Sequence, residues 1–278
     1  MQSGLLRASA AGPDIGYGLP MGQAWLFGLV ASSPLVLGAV CGIRLRLPEW
    51  VLAGMLSFAA GALITAVAYE LFEDSYEQGG LWRAGLGMLV GAAVFTALSA
   101  MLDRWAEADG ADEEGSAKLD KDAATTERPP TAASAHGAAG LALLAAVTLD
   151  GVPENIALGV SLSEGSGGLA LLAAIFASNL PEAFVGSASM REQGRSTRFI
   201  VGTWSIAAVL LMLAVVVGAG PLAAASAETI SLPLAFAAGA VLASLADTLM
   251  PEAYEQGGPL VALSTTAGFV LSFMLATL

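Results

Sequence analysis

The sequence predicts an all-α polytopic membrane protein: eight transmembrane helices in a 3+2+3 arrangement, with helices 1–3 and 6–8 as an inverted repeat. Three observations lead there. The 278 residues are 56% hydrophobic and 13% charged, with a mean hydropathy of +0.72, more apolar surface than a soluble core can hide. Segments of about 20 predominantly apolar residues, the length a spanning helix needs, fall near 22–43, 50–72, 81–102, 138–162, 167–189, 198–220, 231–250 and 259–278. Finally, FAAGALITAVAYELFEDSYEQGG at 58–80 aligns without gaps to FAAGAVLASLADTLMPEAYEQGG at 236–258, with twelve of twenty-three positions identical.

Residues 1–21 contain Arg7, Pro13, Asp14 and Pro20 but no sustained apolar run, so they read as an exposed extracytoplasmic tail, not a cleavable signal. Helices 1–3 occupy 22–102. Cys41 is the single cysteine, a small packing residue that excludes an intrachain disulfide. The loop 103–137 follows; its acidic stretch 103–135 holds nine acidic and four basic residues amid Ala, Thr and Pro, a composition that predicts disorder. His136 is at the end of this loop, so no imidazole contribution to an intramembrane site is expected from it. Helices 4–5 occupy 138–189 and helices 6–8 occupy 190–278.

The net charge of −13 owes much to that loop, and eleven dispersed Lys and Arg residues give no nucleic-acid footprint. With the amino terminus outside, nine basic residues (Arg44, Arg46, Arg104, Lys118, Lys121, Arg128, Arg191, Arg195 and Arg198) fall in cytoplasmic loops and two, Arg7 and Arg83, fall outside. That positive-inside bias puts both termini on the extracytoplasmic side of a multi-pass protein of the cell (inner) membrane. The first repeat copy then runs outward in helix 2 and the second inward in helix 7, a construction typical of transporters with a midplane site.

Helices 4 and 5 carry the chemistry. TLDGVPENIALG at 148–159 resembles FASNLPEAFVGS at 176–187, and each contains a Pro-Glu pair. Asp150 and Glu154 are four residues apart, as are Ser178 and Glu182, so each pair shares a helix face. A carboxylate on a lipid face costs about 2.5–3.5 kcal/mol, which turns these groups into the bundle, where a divalent cation cancels their mutual repulsion. Pro153 and Pro181 lack an N–H and free the carbonyls of Leu149 and Ala177. A first-turn Pro followed by a dipole-stabilising Glu explains one such pair; two aligned copies in apolar spans favour a site. Asn155 and Asn179 are either amide-oxygen ligands or hydrogen-bond partners between helices. Glu70 and Asp247 are the deeper acids of helices 2 and 7 and complete the candidate shell, while Glu73, Asp74, Glu77, Glu252 and Glu255 lie nearer the span ends as solvated or mouth-lining acids.

On these residues the chain resembles the ZIP family of divalent metal transporters, over its length apart from the tail and acidic loop. The family's helix 4 motif, His-Asn-x-Pro-Glu-Gly, stands here as Asp150-Gly151-Val152-Pro153-Glu154-Asn155, and its helix 5 counterpart as Ser178-Asn179-Leu180-Pro181-Glu182-Ala183. The resemblance implies that Glu154, Glu182 and Asn179 bind metal, that Asp150 and Ser178 occupy metal-binding positions with altered chemistry, and that the protein is a homodimer. It also implies zinc, or a zinc-like ion such as Fe, Mn or Cd, as substrate. Loss of both imidazoles shifts the donor set toward harder cations: Mn, Fe(II), Mg or Ca.

The function expected is therefore transport of divalent cations through an intramembrane carboxylate site, with the metal as substrate, no prosthetic group and the lipid bilayer as surroundings. Alternatives are a proton-coupled carrier of a non-metal substrate and a non-transporting metal-sensing scaffold. No nucleophile–base constellation or nucleotide motif points to an enzyme.

Overall fold

Pro48 and Glu49 show how the chain starts its helices. A proline disfavours helical geometry in the residue before it, so α1 (Met21–Arg44) ends ahead of Pro48 and α2 (Glu49–Ala66) begins after it, with an acidic residue in the first turn. The computed structural model describes residues 19–117, 139–164 and 168–277, and every regular element among them is helical. After α2 come a π-helical turn (Val67–Phe72) and α3 (Glu73–Ala117), then α4 (Ala139–Glu164), α5 (Gly168–Glu192) and α6 (Thr197–Val217) with a second π-turn (Gly218–Leu222). The chain closes with α7 (Ala227–Ser244), a third π-turn (Leu245–Leu249), α8 (Met250–Gly257) and α9 (Leu260–Ala276).

Each of the eight predicted segments is helical over its described residues. Five described helices are long and apolar enough to cross a membrane: Met21–Arg44, Glu49–Leu102, Gly168–Glu192, Thr197–Leu222 and Ala227–Glu255. The second of these is not one rod, because Gly80 sits at φ 75° and ψ 169° and breaks it after residue 79. One boundary is corrected. Composition puts a disordered loop from 103, whereas α3 continues to Ala117, since Ala106, Glu107 and Ala108 favour helix and no proline intervenes before Pro129. The rest of that loop, His136 and the tail before Leu19 lie outside the described residues.

The repeat carries over into backbone detail. α7 starts and ends at the positions that match the ends of α2, the π-turn at Leu245 matches the one at Val67, and Gly258 (φ 53°) matches Gly80. Only glycine takes such positive φ without cost, which is why both copies end in Gly-Gly. The copies pack crosswise, α3 along α7 and α2 along α9. Gly61 lets the Thr265 carbonyl close on α2, and its counterpart Gly239 lets the Met88 carbonyl close on α7; a Cβ at either would collide with that oxygen. The Ser75 hydroxyl donates to the Ser231 carbonyl at 2.8 Å and the Ser231 hydroxyl returns the bond to Ser75 at 2.9 Å. Pairs α1–α5 and α4–α6 complete the bundle.

Side-chain size sorts inside out relative to a soluble protein. Fully buried positions are rich in alanine, among them Ala31, Ala59, Ala60, Ala66, Ala174, Ala237 and Ala238, while Leu26, Leu29, Leu37, Leu89, Leu263 and Met274 are exposed. Small residues let helix backbones approach, and large apolar ones face lipid. The chain is a helical membrane protein.

Candidate functional site

Pro153 and Pro181 lie deep inside α4 and α5, not in their first turns, so the Pro-Glu pairs interrupt helices at mid-span. Beside them is a narrow cavity of about 10 Å³, room for one water-sized body or one largely dehydrated ion. Its polar lining comes from Glu154 on α4, from Ser178, Asn179 and Glu182 on α5, and from Ser244 at the end of α7. Leu63 of α2, with Val241, Leu245 and Leu249, forms the apolar wall.

Glu154 is 5% exposed, and Ser178 and Asn179 are equally buried, while Glu182 is half-buried. Asn179 Nδ2 donates to the Ala31 carbonyl of α1 at 3.2 Å, which leaves Oδ1 as the atom the amide offers a cation. This asparagine thus joins two helices and lines the site at once. Ser178 donates to the Ile175 carbonyl at 3.1 Å, keeping its oxygen lone pairs for a ligand. All these donors are hard oxygens.

Not every predicted residue is here. Asn155 is fully buried but turned along its own helix, Nδ2 donating to the Gly151 carbonyl at 2.8 Å; it does not line the cavity. Asp150 sits one turn before Glu154 on α4, and its side chain lies outside the described residues. Glu70 is 4% exposed yet away from the cavity, its Oε2 accepting the Leu171 N–H at the start of α5. Asp247 is exposed, and its Oδ2 accepts from Ser99 on α3 at 2.9 Å.

The reason for the last displacement is the π-turn. Its hydrogen bonds run to the fifth residue back, as from the Met250 N–H to the Leu245 carbonyl, so one extra residue is wound in. A continuous α-helix would set both 247 and 248 beneath Ser244; here Thr248 keeps that contact through its hydroxyl, Leu249 joins the cavity wall and Asp247 turns outward. The first copy has the same winding, the Glu73 N–H reaching the Ala68 carbonyl.

Ser244 was not legible as a site residue, since a lone serine among alanines has no motif. The one signal was the repeat itself, where Ser244 matches Ala66 and so supplies a polar atom that the other copy lacks. Among the described residues no three His, Cys, Asp or Glu side chains come together as a metal-binding group. No protein-family model and no curated protein matches this chain.

Proposed function

We propose that this chain moves divalent metal cations across a membrane through the cavity between α2, α4, α5 and α7. One observation carries the proposal: two glutamates from repeated Pro-Glu turns converge, with Ser178, Asn179 and Ser244, on a single ion-sized cavity inside an apolar bundle. Paired carboxylates buried without a cationic side chain in the cavity lining are stabilised most directly by a doubly charged ion. The same residues carry the resemblance to the ZIP family and with it the expectation of a homodimer.

The architecture that fits this function has eight spans: α1, α2 continued to residue 79, α3 from residue 81, α4, α5, α6, α7 continued through α8, and α9. Helices 1–3 and 6–8 then form the inverted repeat around α4 and α5, and the positive-inside bias of the basic residues supports a reading with both termini outside the cell membrane. Alternating access follows from one repeat rocking against the central pair.

Metal flux into proteoliposomes tests the assignment. Glu154→Gln combined with Glu182→Gln keeps side-chain volume and removes both charges, and it is expected to lower flux more than about a hundredfold, an order typical of removing essential metal contacts. Undiminished flux in the double variant sinks the proposal. A proton-coupled carrier is the second reading, since carboxylates inside a helical bundle also serve as proton relays. Substrate-dependent proton movement with no divalent requirement identifies it.

A further inference from the structure

We infer that Ser244 sets which cation the site accepts, completing an all-oxygen shell from the side that α4 and α5 do not reach; this rests on the transport proposal above. Ser244 is 2% exposed and is the last residue of α7. Of the cavity residues drawn from the repeat copies, Leu63, Val241, Leu245 and Leu249 are apolar, and Ser244 alone is polar. Its match in the first copy is Ala66, also fully buried. The hydroxyl lies 3.5 Å from that of Thr248 and borders the cavity as well.

The local winding holds this serine in place and keeps a charge out. Thr248 donates its hydroxyl to the Ser244 carbonyl at 2.8 Å, and the π-turn beginning at the next residue turns Asp247 away to Ser99. The wall of α7 therefore offers the cavity a neutral oxygen where an unbroken helix would bring a carboxylate alongside. A hydroxyl adds a donor without adding charge, and it is hard. With two carboxylates, an amide oxygen and the Ser178 hydroxyl, it makes a lining with no sulfur and no ring nitrogen among the described residues. Such a set takes an oxygen-preferring cation of the Mn(II) kind ahead of thiophilic Cd(II).

Flux of Mn(II) and Cd(II) in proteoliposomes tests this with the parent chain, Ser244→Ala, Ser244→Cys and Glu154→Gln, each reconstituted as monodisperse protein in equal amount. The parent should carry Mn(II) in preference to Cd(II). Ser244→Ala should raise the KM for Mn(II) about tenfold with maximal flux retained, and Ser244→Cys should move the preference at least about tenfold toward Cd(II), in line with the usual consequence of changing a donor. If both Ser244 variants keep the parent's KM and preference while Glu154→Gln is blocked, the serine is only wall and the inference fails. A parent that prefers Cd(II), or that carries neither ion, overturns the assigned cation class, and one that carries no divalent cation, Zn(II) and Fe(II) included, overturns the transport proposal itself.

Discussion

The first four N–H groups of a helix have no acceptor within it, and Glu70 shows how one such group is served at membrane depth. Its Oε2 takes the Leu171 N–H at 3.0 Å while Oε1 has no hydrogen-bond partner among the described residues, so the carboxylate pins the start of α5 to the π-turn after α2. Glu70→Gln keeps an oxygen for that bond and should leave both stability and the KM for metal unchanged. Glu70→Ala strands the Leu171 N–H and should cost about 1–3 kcal/mol, seen as a lower midpoint of thermal unfolding in detergent. Equal losses from both substitutions would show that charge, not acceptance, matters. At this scale the sequence was informative where chemistry was repeated. Glu154, Asn179 and Glu182 stood out because Pro-Glu occurs twice at matched depth, and all three line the cavity. Glu70 and Asp247 looked equivalent to them as acids inside apolar spans, but no residue type announces that a helix will gain an extra residue per turn.

Helix boundaries were readable because proline, glycine and acidic residues punctuate them: Pro48 before α2, the Gly-Gly pairs closing both copies, Ser196 accepting the Phe199 N–H at the start of α6. Phase along a helix was not. The π-turns at Val67–Phe72 and Leu245–Leu249 interrupt apolar helices with no proline or glycine inside them, whereas Gly218–Leu222 carries Gly218, Gly220 and Pro221. Substitution along α7 and beyond should expose the slip. Asp247→Asn should leave the KM for metal unchanged, whereas Leu249→Asn, five positions past Ser244, should impair flux at least about tenfold by placing an amide in the apolar wall. An opposite pattern, with 247 sensitive and 249 tolerant, would mean that α7 continues as an ordinary helix in the bilayer. The exposed Arg83–Glu228 pair at 2.9 Å contributes little to any of this, since surface ion pairs are worth about 0–1 kcal/mol.

For the whole molecule, composition pointed to lipid as the solvent, and five described helices are long and apolar enough to cross a membrane. Which helices touch was less accessible. In a soluble protein one apolar face points to the core, but here outward faces are apolar as well, and the difference lies partly in size: most buried apolar positions are small or tightly packed, many of them alanine, while leucines such as Leu26, Leu89 and Leu263 face outward. The crosswise pairing of the two copies could be guessed only from their similarity. That pairing bears on how the chain is made. When α2 and α3 leave the ribosome, the surfaces meant for α9 and α7 have nothing to meet, and Ser75 waits for a serine 156 residues further on. The amino-terminal half must therefore idle in the bilayer as loosely associated helices, its closing contacts deferred to the end of synthesis. Two separately translated pieces divided within 118–138 should then assemble into a flux-competent protein when produced together, while either alone should be cleared by membrane proteases. Accumulation of the first piece alone, as a stable and resistant species, would show that the early helices had found a resting fold of their own.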